Sequence, residues 1–225
     1  MSVPGHLALF AWLSPSFPIG AFAYSHGLET AVSDGDVRDG ATLQAWLFDL
    51  LRLGSIRTDL ILAACAARAL GAGDEDGFRE VAELAIALSP SKERHLETTQ
   101  QGRSFMDALG AAWPSPTIDE LLGRSGEIAY PVAFGVALFA HRMKLRSSLA
   151  AFALHSCANL VSAVVRLGTI GQTDGQKIIA SLMKPVEGAA ARAARATLDD
   201  LGSATLRADL ASLRHETLYS RLFRS

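Results

Sequence analysis

Cysteine is scarce: Cys65 and Cys157 are the only two among 225 residues. They form neither a CxxC pair nor a zinc-type spacing, so a disulfide scaffold and a cysteine-built metal centre are excluded. Reduced, buried thiols are the expectation. Cations are missing from the start of the chain, where no Lys or Arg precedes Arg38. The short apolar run 7–13 therefore lacks the positive region of a signal peptide, although Ala21-Phe22-Ala23 imitates a cleavage site. Long uninterrupted apolar runs are also absent. The richest stretch, 151–170, is broken by His155, Asn159 and Arg166, and it reads as a buried helix, not a membrane span. The formal charge of −2 offers nothing to a nucleic acid or an anionic membrane.

Catalytic signatures are equally thin. There is no GxxxxGK[ST] loop and no GxGxxG turn, so nucleotide binding through either device is excluded. The six histidines form no HxxxH, HExxH or His/Cys cluster. His95 beside Glu93 and Glu97, or His215 beside Glu216, reads as ordinary surface composition. Ser25 and His26 adjoin, but neighbours on a helix point apart and cannot work as nucleophile and base. No alternation of apolar and polar residues is long enough for a strand. The expected fold is all-α, a single-domain helical bundle over residues 1–225.

What is present begins at Ser14-Pro15-Ser16-Phe17-Pro18-Ile19-Gly20, which runs on to Tyr24 and Gly27-Leu28-Glu29. Two prolines keep this stretch out of a helix interior and hold the residues before them extended. Gly20 supplies a position for positive φ. Phe17, Ile19, Phe22 and Tyr24 are too apolar for a solvated loop, so a Pro/Gly/aromatic loop near the N-terminus should pack onto the body and present a fixed surface.

Helical periodicity covers the rest. Leu43, Trp46, Leu47, Leu50 and Leu53 make a core-facing stripe that continues through Leu60, Ile61 and Cys65, with Gly54-Ser55 as a bend. Residues 91–113 form a polar helix, solvated or facing a polar partner, with a thin apolar line at Leu96, Thr99, Met106 and Leu109. Tyr130-Pro131 opens an apolar interior helix. In 151–170, His155, Asn159, Ser162 and Arg166 fall on one narrow stripe of a central helix whose Leu154, Leu160, Val161, Val164 and Val165 are expected to be buried. That seam is either a satisfied internal network or a face toward a partner. Residues 176–201 read as one helix kinked near Pro185. The end of the chain mixes Arg214, Arg221 and Arg224 with Tyr219, Leu222 and Phe223, a composition that favours an interface or a tail docked on its own domain.

These blocks together resemble the UreF family of urease accessory proteins. The likeness rests on Ser14-Pro15 with Pro18-Ile19-Gly20, Phe22, Ser25 and Gly27-Leu28-Glu29. It extends through Glu93-Arg94, Gln101-Gly102-Arg103-Ser104, Pro131-Val132-Ala133-Phe134-Gly135, and Asn159 with Arg166-Leu167-Gly168 and Gly171-Gln172. It ends at Arg214-His215-Glu216-Thr217 and Tyr219 to Ser225. Ala21 departs from the family, which often has a second glycine there, and this makes a left-handed conformation at 21 doubtful.

The resemblance implies an all-helical, non-enzymatic cytoplasmic scaffold without cofactors, usually a homodimer. It implies binding to a UreD (UreH) protein and to the nickel-carrying GTPase UreG. The assembly docks on apo-urease, promotes GTP-dependent nickel delivery to a carbamylated-lysine dinickel site and modulates the GTPase. On that footing, Tyr219, Arg221, Leu222, Phe223 and Arg224 in a flexible tail 219–225 are expected to meet the UreD-type protein. Glu29, Asp59, Arg166 and Gln172 are expected either to form an internal ion-pair network or to rim a GTPase-docking patch beside Pro18, Gly20 and Tyr24. A ligand-sensing transcriptional regulator is the alternative, although it needs a basic recognition helix near the start. A small helical enzyme using His26 or His155 lacks a base, nucleophile and orienting group.

Overall fold

The computed structural model describes residues 5–123 and 126–225, and every α-helical or 3-10 element among them leaves no room for a strand. The centre is α4 (Ser55–Ala72), packed on α8 (Tyr130–Ala140) and α9 (Leu145–Arg166). α8 is apolar on every side and begins with Pro131, whose missing N–H costs nothing in a first helical turn. It is buried from Tyr130 to Leu138. Gly135 is what brings it so close to α4: a Cβ there would stand 2.5 Å from the Ala63 carbonyl oxygen.

Around this centre lie α3 (Gly40–Leu53), α5 (Glu75–Ala87), α6 (Lys92–Ala112), α10 (Gln172–Ser181) and α11 (Met183–Ala193). α3 starts with a capping box in which Asp39 accepts from the Thr42 N–H at 2.8 Å. In α9, Leu160, Val161 and Val164 are buried as expected, while Leu154 and Val165 are half-buried at its margin.

Several elements differ from the sequence reading. The stripe from 42 to 71 is two helices, because Gly54 adopts an extended conformation and ends α3. A Cβ at Gly54 would meet Thr205 Oγ1 at 2.7 Å, so the break also makes room for the returning chain. Residues 176–201 are not one helix either: α10 ends at Ser181, α11 ends at Ala193, and a 3-10 turn covers Leu198–Asp200. The short α7 (Pro116–Gly123), which the sequence reading did not include, opens on a proline.

The orientation of α6 is the most consequential difference. Its inward stripe is Glu97, Gln101 and Phe105, at i, i+4 and i+8, with Met106 and Leu109 beside it, while Leu96 stays half exposed. Phe105 belongs to an aromatic chain that also contains Trp12, Phe17, Trp113, Tyr130, Phe134 and Phe152, with neighbouring ring centroids 4.6–6.4 Å apart. The polar half of α6 therefore faces the protein's own interior.

The N-terminal α1 (Gly5–Trp12) feeds the loop. α2 (Leu28–Ser33) cannot begin before Leu28, because His26 and Gly27 both take positive φ, 56° and 77°. α12 (Leu206–His215) packs on α2 at this point, where a Cβ on Gly27 would lie 2.6 Å from the Ser212 nitrogen.

Candidate partner-binding surface

Two segments far apart in sequence make one surface. The first is the proline loop. Phe17 drops onto Phe105 and Trp113, with centroids 5.3 and 5.9 Å away, and Ile19 is buried beside it. Gly20 takes φ of 70°, as its position suggested, and turns the chain into a 3-10 turn at Ala21–Ala23. Ala21 itself stays right-handed, since His26 and Arg142 are the non-glycine positions with positive φ among the described residues.

The polar seam of α9 holds this loop by its carbonyls. His155 Nδ1 lies 2.8 Å from the Leu13 oxygen, and Asn159 Nδ2 donates to Ala21 O at 3.0 Å. Arg166 donates to Phe22 O at 2.5 Å, and Ser162 stays exposed. The seam is neither a closed side-chain network nor a bare face, because three of its groups satisfy the backbone of a loop that has no ladder of its own. Anchored in this way, the loop leaves Pro18 exposed and the Phe22 ring 69% exposed.

The second segment is the C-terminal stretch. Residues 219–225, expected as a flexible tail, are docked. Glu29 accepts from the N–H of Leu222 at 2.6 Å and of Phe223 at 3.0 Å. Arg224 N donates to Ala23 O at 2.8 Å, which ties the tail directly to the loop. Ser25 donates from its nitrogen and its hydroxyl to the Ser225 main-chain oxygen, and Ser225 Oγ donates to Glu97 at 2.7 Å. Phe223 is buried, and the Arg166 guanidinium sits 4.5 Å over its ring. Backbone donors from an irregular segment need acceptors, and a buried carboxylate is a strong one.

Behind the tail, His215 is fully buried, with Nδ1 2.6 Å from Glu93 and Nε2 3.1 Å from Glu29. Glu93 also accepts from Arg221 at 2.5 Å. Next to it, Glu97 pairs with Arg94 and with His26 Nε2 at 2.7 Å. Burial alone would raise the Glu97 pKa, yet Arg94, His26 and the Ser225 hydroxyl bring it down to about 2. Burial, followed by the Arg94 charge, lowers that of His26.

The positions singled out in the sequence thus separate. Pro18, Gly20, Arg166, Leu222 and Arg224 come together at the loop and tail. Tyr219 projects nearby in sequence and is wholly exposed. Tyr24 is buried and donates to Gln100 Oε1 at 2.8 Å, its pKa raised by burial and by Glu97 against the opposing Arg224. Glu29 does not rim a patch: its carboxylate is enclosed and spent on the tail and His215. Asp59 faces the interior, beside a cavity of about 30 Å³ that it lines with Ala21, Glu97, Tyr130, His155 and Asn159. Gln172 opens α10 on the surface. Arg166 pairs with neither Glu29 nor Asp59, so the anticipated ion-pair network does not form.

Sequence reasoning missed Glu93, Glu97, His215 and Ser225. The signal was available for the glutamates: Glu93, Glu97 and Gln101 share one helical stripe with the buried Phe105. His215 gave none, since its partners are more than a hundred residues away. Among the described residues, no group of three or more His, Cys, Asp or Glu is placed to hold a metal ion.

Comparison with known proteins adds the family. The UreF family model matches residues 37–183. A urease accessory protein UreF from Xanthobacter autotrophicus is 56% identical over 220 residues, covering 97% of this chain and 90% of its own length. Another from Methylorubrum populi is 53% identical over 220 residues, covering 97% of this chain and 98% of its own. A third, from Azorhizobium caulinodans, is 50% identical over 223 residues, covering 99% and 96%.

Proposed function

The chain belongs to the UreF family of urease accessory proteins, and from that premise we propose that it is a non-enzymatic scaffold of urease maturation. In this reading it works in the cytoplasm as a homodimer. It bridges a UreD/UreH-type protein and a UreG-type GTPase on apo-urease, and it modulates the GTPase during GTP-dependent nickel insertion. The nickel is cargo of the assembly. Family membership displaces the transcriptional-regulator alternative, and the absence of any basic residue before Arg38 agrees.

The observation that supports a docking role is the clamped pair of loop and tail. The two backbones are tied down by hydrogen bonds at Ala23, Ser25, Leu222, Phe223 and Arg224, yet Phe22, Leu222 and Tyr219 stand 69, 62 and 104% exposed. Apolar side chains held out on a rigid, hydrogen-bonded frame suit a partner interface, because little ordering entropy remains to be lost on binding. Arginine and aromatic residues in such a patch are the types that dominate interface energies.

The test is a triple variant, Phe22→Ser with Tyr219→Ser and Leu222→Ser, co-expressed with the UreD-type protein and analysed by pull-down and sizing. All three side chains are exposed, so melting should stay within about 1 °C of the parent for changes of a few tenths of a kcal/mol. The complex should weaken at least about 30-fold, the loss of one strong anchor. Arg166→Ala, which takes the shared cation from the Phe22 carbonyl and the Phe223 ring, is expected to weaken the same complex by loosening the frame. Full-strength complexes from the triple variant would refute the assignment of this surface.

A further inference from the structure

A second surface, sharing no residue with the loop and tail, carries an unbalanced charge. An open groove of about 1230 Å³ runs between α3, α11 and residues 200–204. Arg52, Arg57, Lys184 and Arg192 line it, and Arg195 extends the cationic row past the same Arg57 and Arg192. The opposing carboxylates are Asp49 and Asp200. Asp200 is already engaged by the Thr197 N–H at 2.9 Å. Arg57 is spent on the carbonyls of Asp200 and Gly202. Among the described residues, Arg52, Lys184, Arg192 and Arg195 have no ion-pair or hydrogen-bond partner for their charged groups. A chain of net charge −2 thus gathers four free cations on one face.

The floor is apolar and smooth. Phe48, Leu53, Pro185 and Gly188 form it, and Leu53 is 45% exposed.

We propose that this groove is a docking site for an acidic, partly apolar segment of a protein partner, laid along α11. Carboxylates spaced along such a segment meet Lys184, Arg192 and Arg195, and an apolar side chain between them covers Phe48 and Pro185. A protein fits better than a nucleic acid. A phosphate backbone would meet Asp49 without a donor to offer it, whereas a peptide brings N–H groups. The overall negative charge of the chain also repels a long polyanion.

The experiment uses the full chain and a fluorescein-labelled glutamate-rich peptide carrying two leucines, followed by anisotropy across a salt series. Saturable binding that weakens with salt is expected. Lys184→Glu with Arg192→Glu should weaken it at least about tenfold, the effect of reversing close charge pairs. The same variant should gain affinity for the lysine-rich counterpart of the peptide. If that variant folds poorly, Arg52→Glu with Arg195→Glu reads the same charge reversal from other elements. Absence of saturable binding, indifference to both reversals, or tighter binding of a single-stranded oligonucleotide of equal charge would overturn the proposal. Because the UreD-type protein is absent from this assay, its outcome is independent of the loop-and-tail interface.

Discussion

Glu29→Ala is expected to lower the unfolding free energy by about 3–5 kcal/mol, because two backbone N–H groups and the buried His215 ring lose a partner at once. Glu29 is 8% exposed and His215 is fully buried, so solvent screens the pair little. The substitution deprives the Leu222 and Phe223 N–H groups of their acceptor and leaves His215 with Glu93 alone. Each of these losses acts on a group that cannot turn to water without moving the tail. Urea unfolding gives the magnitude, and limited trypsin cleavage after Arg221 reports the tail. Glu29→Gln, which keeps one acceptor oxygen, should lose less. If Glu29→Ala unfolds with the parent midpoint and slope, the carboxylate does not anchor the tail. Deleting 219–225 should share part of the loss, contrary to the expectation of a flexible tail.

Asp59→Asn should act in the opposite direction, and only above mildly acidic pH. Burial, reinforced by Glu97 and opposed by Arg94, raises the Asp59 pKa from 3.8 to about 7. The folded carboxyl keeps its proton until near pH 7, while the unfolded one releases it near 3.8. The stability tied to this proton is therefore complete below pH 3.8 and is lost as pH rises toward 7. The shift corresponds to a ceiling of about 4 kcal/mol, at 1.36 kcal/mol per pH unit. The side chain keeps some solvent contact, so the gain on removing the charge should be about 2–4 kcal/mol at pH 8 and near zero at pH 4. Glu97 runs the other way: its pKa near 2 adds stability above pH 4.5 that is lost as pH falls. Chemical denaturation of parent and Asp59→Asn from pH 4 to 8 checks the Asp59 sign, and extending the parent series to pH 2.5 checks that of Glu97. Parallel curves would show that Asp59 is ionised in the folded protein.

The fold was largely legible because helical periodicity and breakers are local. Pro131 at a helix start, Gly20 at positive φ and the central apolar helix all follow from nearest-neighbour sterics and spacing. The site was legible only by half. Phe17, Phe22 and Arg166 declared themselves as apolar residues in a loop and a cation on an apolar helix. The direction of α6 did not, because Glu97 and Gln101 mimic a solvated face unless their distant partners His26 and Ser225 are known. Glu29 was recognised as unusual, but the sequence offers no sign that its acceptor oxygens serve backbone donors almost two hundred residues away.

That separation has a kinetic meaning. Bonds such as those joining Ser25 to Ser225 and Glu29 to Phe223 close nearly the entire chain into a loop, and contacts of such range are made late in folding. On the ribosome, the proline loop stays without its clasp until residues 215–225 have been made. An incomplete or C-terminally clipped chain can therefore hold helices and still lack the finished frame around Phe22. The surface is finished only once residues 222–225 have folded back onto residues 23–29.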